Sequence, residues 1–138
     1  MASHSDLTGK RVLVSGASGF TGRYMSQQLK EQGCTVIGVG TRCDGAGTSA
    51  TDEFWPMDLR DAADVARVVA QAQADYVVHL AAVAFVGHGD ADDFYRVNLL
   101  GTRNLLQALA ASQHRPERVL IASSANVYGL SLIHISER

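Results

Sequence analysis

Proline and cysteine are both scarce in this chain, with two of each among 138 residues. Cys34 and Cys43 have no metal-ligand spacing and no histidine close by in sequence, which argues against a zinc site; both are read as reduced thiols of a cytoplasmic protein. Charge of one sign is lacking too. The formal net charge is −2 and the basic residues never run together, so no electrostatic footprint points to nucleic acid or to an anionic membrane. No apolar run approaches the roughly 18 residues of a spanning helix. The opening "MASHSDLTGK" has no apolar core of a signal peptide, and residues 1–8 are read as a leader. Internal repeats and low-complexity segments are absent.

Against these absences stand thirteen glycines, 46% hydrophobic residues and 19% charged ones. That composition suits one soluble domain with tight strand-to-helix turns. A domain of this size buries very roughly two-thirds of the surface its unfolded chain exposes.

The hydrophobic pattern alternates between two kinds of segment. Short β-branched and leucine runs at 10–16, 35–40, 75–82 and 118–124 read as buried strands. "FWPM" at 54–57 reads as an edge strand, because Pro56 cannot serve a central one. Between them lie helical patterns. Residues 20–33 carry Phe20, Tyr24 and Leu29 at near-helical spacing and stop at Gly33. Residues 58–73 have Asp61 as N-cap and Val65, Val68 and Val69 inward. Residues 90–112 show an apolar stripe of Phe94, Val97, Leu105 and Leu109. Uniformly apolar strands alternating with amphipathic helices predict an α/β, doubly wound, Rossmann-type parallel sheet, ordered 3-2-1-4-5.

"VSGASGFTG" places Gly16, Gly19 and Gly22 between the first strand and the first helix. One glycine makes the turn, one lets the backbone approach a pyrophosphate, and one lets helix and strand pack closely. The N–H groups at the helix start then bind phosphate oxygens. An ordinary Gly-rich turn is the plain alternative. The spacing is one residue longer than the commoner G-x-G-x-x-G. About 20 residues on, at the end of the second strand, an acid usually reads the ribose. Here Gly40 stands in that place, followed by Thr41 and Arg42. A missing carboxylate with a guanidinium beside it favours NADP over NAD; a plain surface arginine is the alternative.

Five segments, "SGASGFTG", "DLRD" at 58–61, "HLAA" at 79–82, "VNLLGTRNLLQAL" at 97–109 and "SSANVYG" at 123–129, together resemble the extended short-chain dehydrogenase/reductases. More narrowly, they resemble the NAD(P)-dependent epimerase/dehydratase group that acts on nucleotide sugars. The finer likeness is to its branch handling GDP-mannose-derived sugars, including the GDP-4-keto-6-deoxyhexose reductases. The resemblance implies that Gly16, Gly19 and Gly22 hold the pyrophosphate, with backbone N–H groups of Phe20 and Thr21. It implies that Asp58 accepts from the adenine amino group and Leu59 lines the adenine pocket; a helix cap is the plain reading of Asp58. Leu80, Ala81 and Ala82 would flank the ribose and nicotinamide, and His79 is read as a satisfied strand histidine. Ala84, Asn98 and Asn126 would wall the active site, with a helix-face amide as the alternative for Asn98.

Ser124 would be the catalytic hydroxyl bonded to the sugar oxygen as it changes between alcohol and ketone. Its family partners, a tyrosine acid/base and a lysine four residues later, have no counterpart here: Tyr128 belongs to the turn after the strand, and no lysine stands at 132. The 4,6-dehydratases carry a glutamate two residues after their active-site hydroxyl. Asn126 is a neutral amide that cannot take the C5 proton, so epimerase or ketoreductase ranks above dehydratase. A non-catalytic NADP-binding regulatory protein is the rival from another class. The partner implied is a nucleotide sugar, a GDP-sugar favoured, and the parent protein is expected to be a homodimer.

The dinucleotide-binding segment is thus read as residues 9–129 and as incomplete. "LSLIHISE" resembles an in-frame translation of a transposase mosaic-end adaptor, so 130–138 is expected to be a non-native tail and the chain to be inactive as an enzyme. A genuine final strand is the alternative. It would begin too soon after residue 124 for a parallel crossover, which needs about a dozen residues, and could pair only as a hairpin. Deleting residues 130–138 is therefore expected to leave thermal unfolding and dinucleotide binding unchanged. A stability loss of several kcal/mol in calorimetry would make the tail a true structural element.

Overall fold

The computed structural model describes residues 7–17, 20–40, 51–80 and 91–122, with the side chains of 20 and 91–97 outside that description. Five strands form one parallel sheet: β1 (Arg11–Ser15), β2 (Thr35–Gly40), β3 (Glu53–Pro56), β4 (Tyr76–His79) and β5 (Arg118–Ile121). Their order is β3-β2-β1-β4-β5, the order expected from the sequence. Three helices connect them: α1 (Phe20–Glu31), α2 (Ala62–Ala72) and α3 (Ala91–Ala111).

Side chains alternate along each strand, and both faces of the central strands are covered. Leu13, Ile37, Val39 and Val77 point to one face, where they meet Met57, just past β3, and Val65, Val68, Val69, Leu105 and Leu109 of the α2–α3 layer. Val12, Val14, Val36 and Val78 point to the other, against Met25 and Leu29 of α1. This two-sided burial is why β1 and β2 read as continuous apolar runs. β3 lies at the edge, where the missing N–H of Pro56 leaves no ladder bond unmade.

Helix ends follow local chemistry. Gly33 has φ +89°. It closes α1 with the paired bonds Cys34 N–H to the Leu29 carbonyl and Gly33 N–H to the Lys30 carbonyl. The Asp61 carboxylate accepts from the N–H groups of Ala63 and Asp64, so α2 starts at residue 62 rather than 58. Gln73 ends α2 in a left-handed conformation, a stop that carries no glycine signature. Leu105 and Leu109 face inward as expected, while Phe94 and Val97 fall outside the described side chains.

Two expectations are corrected. Tyr24 is 64% exposed, not part of the inward face of α1. That face is Gly22, Met25, Ser26 and Leu29, an i, i+3, i+4, i+7 set. Its phase is set by Gly22, because a Cβ there would lie 1.9 Å from the Gly16 carbonyl oxygen and 2.7 Å from Ala17 Cα. Tyr24, two residues on, is turned about 200° away. The second correction is β5, expected to be buried. Val119 is 38% and Leu120 52% exposed, because β5 pairs only with β4 and no other described element lies along its outer edge.

Gly22→Ala is the substitution this packing tolerates least. The Cβ meets the backbone of Gly16 and Ala17, so no rotamer relieves it. A loss of about 3 kcal/mol or more is expected in urea unfolding. A variant as stable as the parent would show that the contact of Gly22 with Gly16 does not set the phase of α1.

Candidate nucleotide-binding site

Parallel register places the candidate residues in one row. Ser15 is level with Val39 and His79, Val39 with Trp55, and His79 with Ile121. The next residue of each strand therefore gives Pro56, Gly40, Gly16, Leu80 and Ala122 along the carboxyl edge of the sheet. The chain reverses its direction of travel across the sheet between β1 and β4. In open α/β sheets that reversal point, outside the carboxyl ends of the strands, is where ligands bind.

Gly16 leaves β1 with φ +76°, a conformation that favours glycine, and turns the chain toward α1. Gly22 lies against its carbonyl. The two glycines thus perform the turn and the close packing expected of them. Gly19 lies outside the described residues; Phe20 is described only in its backbone, as the first residue of α1, and Thr21 beside it is exposed. The first turn of α1 holds no acidic residue, so no carboxylate within the turn neutralises its N–H groups and positive dipole end. A glycine at positive φ leaving the strand, followed by a helix start that carries no acid, is the kind of backbone a pyrophosphate requires.

At the end of β2, Gly40 accepts through its carbonyl from the Met57 N–H and offers no carboxylate. Thr41 and Arg42 lie outside the described residues. Past β3, the Asp58 carboxylate accepts from the Arg60 backbone N–H (3.0 Å) and from its guanidinium (3.2 and 3.4 Å). These bonds hold its carboxyl below the usual carboxylate range. Asp61 caps α2, so the plain reading of Asp58 as the cap is corrected: Asp58 closes the turn before it. Leu59 is half-buried against Gly101 of α3, where a Cβ would come within 3.1 Å of it, and its carbonyl accepts from the Asn104 amide at 2.8 Å. Gly101 and Asn104 were not foreseen as a clip. A lone glycine inside a helical pattern was the available signal.

His79 is 3% exposed. Its Nδ1 lies 2.6 Å from Ser15 Oγ and its Nε2 3.1 Å from Thr102 Oγ1 on α3. It is the satisfied strand histidine expected. Leu80 N–H donates to both the carbonyl and Oγ of Ser15. Asn98 is half-buried, one turn before Thr102 on the same face of α3. Ala81, Ala82, Ala84, Ser124 and Asn126 lie outside the described residues. Among the described residues there is no metal-ligand cluster, and no helix is long and apolar enough to cross a membrane.

The sequence pattern of the NAD dependent epimerase/dehydratase family matches residues 12–137. The chain is 33% identical over 120 residues to a GDP-6-deoxy-D-talose 4-dehydrogenase of Aggregatibacter actinomycetemcomitans, covering 87% of this chain and 37% of that protein. To UDP-glucose 4-epimerase 3 of Oryza sativa subsp. japonica it is 31% identical over 136 residues, covering 88% and 36%. Among solved structures, a candidate epimerase of Burkholderia cenocepacia J2315 is 42% identical with a TM-score of 0.76, covering 89% of this chain and 40% of that one. The Brucella ovis UDP-glucose 4-epimerase in complex with NAD is 28% identical with a TM-score of 0.75, covering 88% and 38%. The chain thus spans less than half the length of the relatives it matches.

Burial disfavours the charged imidazole and lowers the His79 pKa below its ordinary 6.5. Between that value and the lower folded one, the unfolded chain binds the proton and the folded chain does not. This contribution to stability is therefore present above pH 6.5 and is lost as pH falls toward the folded pKa. Asp58, Asp64 and Asp75 are held below 3.8, so their share is lost only in a more acidic window. Urea unfolding as a function of pH is expected to show stability declining below about 6.5, the ordinary histidine pKa. His79→Gln is expected to flatten that segment and leave the acidic one; an unchanged profile in the variant would contradict this assignment.

Proposed function

The chain belongs to the NAD dependent epimerase/dehydratase family, and from that premise we propose that it is the dinucleotide-binding part of a nucleotide-sugar epimerase or 4-ketoreductase that prefers NADP(H). The observation that carries the reading is the row at the carboxyl edge of the sheet, where the glycine turn at Gly16, with Gly22 of α1 packed against it, stands at the switch point. When bound, the dinucleotide supplies hydride transfer. The residues of this chain bind and orient it. The glycine turn and the N–H groups of Phe20 and Thr21, with Gly19, would take the pyrophosphate. Asp58 and Leu59 would meet the adenine. Leu80, with Ala81 and Ala82, would lie beside the far ribose.

Ser124 is assigned the hydroxyl that bonds the reacting sugar oxygen, and Ala84, Asn98 and Asn126 the wall around it. As a neutral amide, Asn126 favours epimerase or reductase over dehydratase. The likeness to a GDP-6-deoxy-D-talose 4-dehydrogenase supports a GDP-sugar; the UDP-glucose 4-epimerases among the relatives support a UDP-sugar as the second reading. A cytoplasmic homodimer is proposed for the whole protein.

The preference for NADP(H) rests on Gly40, with Thr41 and Arg42 after it. A carboxylate at 40 would accept from a ribose 2′-hydroxyl and repel a 2′-phosphate. NAD is the second reading, favoured by the Brucella ovis relative solved with it. Fluorescence titration is expected to show NADPH binding tighter than NADH by about 1.5 kcal/mol, the scale of a hydrogen bond to a charged group. Gly40→Asp should reverse the order. Position 40 admits a side chain, since a Cβ there lies 3.3 Å from Phe54 Cζ, which needs only a small shift of the ring. Equal or tighter binding of NADH by the parent chain would remove the NADP assignment.

A further inference from the structure

The Ser15–His79–Thr102 chain is polar, buried at Ser15 and His79 and half-buried at Thr102, and tied to three elements at once. Ser15 is the last residue of β1, immediately before Gly16. His79 is the last of β4, immediately before Leu80. Thr102 lies on α3, in the layer covering the opposite face from α1. A neutral imidazole has one donor and one acceptor nitrogen, and the two hydroxyls serve either tautomer. The imidazole therefore spans from β1 to α3 through two bonds, at 2.6 and 3.1 Å. Ser15 Oγ also accepts from the Leu80 N–H at 3.1 Å, so the same hydroxyl fixes where the backbone leaves β4. No valine or leucine at 79 could hold both ends.

We propose that His79 is a positioning residue, which through Ser15 and Thr102 locks the carboxyl end of β4 to the glycine turn so that the half of the dinucleotide beyond the pyrophosphate is held in place. This rests on the reading of the site as a dinucleotide site. The adenosine half lies over the β2 side, where its ribose is read at the strand end. The other half then lies over β4, the strand whose exit His79 sets. The imidazole is buried under this edge and acts through Leu80 and the turn rather than by contact. A role of this kind differs from plain core packing in what it affects: a packing loss weakens both halves of the ligand equally or neither, whereas a positioning loss is confined to the half over β4.

The test uses the 138-residue chain, with NADP+ and NAD+ as whole ligands and 2′,5′-ADP and ADP as the matching adenosine halves. Thr102→Val removes one hydroxyl with little change of shape, and His79→Leu removes the imidazole. Each is expected to weaken the better-bound dinucleotide on the order of ten-fold, with the double variant no worse than the His79→Leu single, as for members of one network. The matching adenosine half should bind as it does to the parent. Thr102→Ser, which restores the hydroxyl, should recover parent affinity. Hydrogen exchange at the Leu80 amide should accelerate in Thr102→Val and not in Thr102→Ser. Parent-like dinucleotide affinity in Thr102→Val, or equal loss of dinucleotide and adenosine half, would overturn the positioning role. A parent chain that binds neither dinucleotide would instead overturn the reading of the site, and this role with it.

Discussion

The approach of α1 to the glycine turn is the constraint on which the rest of the fold depends. Backbone meets backbone at Gly22 and Gly16, with no side chain between them. That contact fixes the rotation of α1 and brings the helix low over the sheet. What lies beneath must then be small. Ala17 is fully buried, and Gly38 on β2 is just as confined: a Cβ there would sit 2.9 Å from Ala17 Cβ and 3.1 Å from Phe54 and Thr51. Ser26 on α1, fully buried, continues the run of small residues on this face. Close packing on this scale leaves no room for a methylene to be added.

The other face of the sheet solves the same problem differently. Large aliphatic residues of α2 and α3 fill it, Val65, Val68, Leu105 and Leu109 meeting Leu13, Ile37 and Val77. A packed aliphatic layer is tolerant of small slides, so it specifies position less sharply than a backbone contact does. Two polar clips supply what is missing. The Asn104 amide takes the Leu59 carbonyl, fixing α3 to the turn before α2. His79 takes Ser15 and Thr102, fixing α3 to the sheet. Both clips use buried polar groups that must be satisfied, which is what makes them specific.

The edge place of Pro56, the Asp61 cap and the Gly33 stop were legible because each follows from one residue's own chemistry within a few positions; the sheet order was legible from the alternation of apolar strands with amphipathic helices and the handedness of their crossovers. Tyr24 was misread because helix phase is not local: it is set by a contact between Gly22 and a residue on another element. β5 was misread because an apolar run signals what a strand is suited to, not what covers it. The left-handed Gln73 carries no sequence sign at all. In the site, the glycine turn and the missing carboxylate at Gly40 were legible, since backbone conformation and side-chain type are properties of single residues. The clip of Gly101, Asn104 and Leu59 was not, since it joins residues more than forty apart.

The two ends of the sheet differ in how their polar groups are met. At the amino end, polar groups are paired among themselves. The Asp75 carboxylate accepts from the Arg11 N–H at 2.9 Å and from His114 at 3.2 Å, while its carbonyl accepts from the Glu117 N–H. Arg11 reaches the Ala72 carbonyl at the end of α2, and Lys10 pairs with Glu117. Exposed ion pairs contribute little by themselves, but the bonds from Asp75 to backbone close strand starts that would otherwise need water. At the carboxyl end the first turn of α1 brings no acid of its own to its N–H groups, and β2 ends in a glycine rather than a charge. The closed amino end and the two clips on α3 hold the strands in register, and the carboxyl edge is left to the backbone conformation of Gly16.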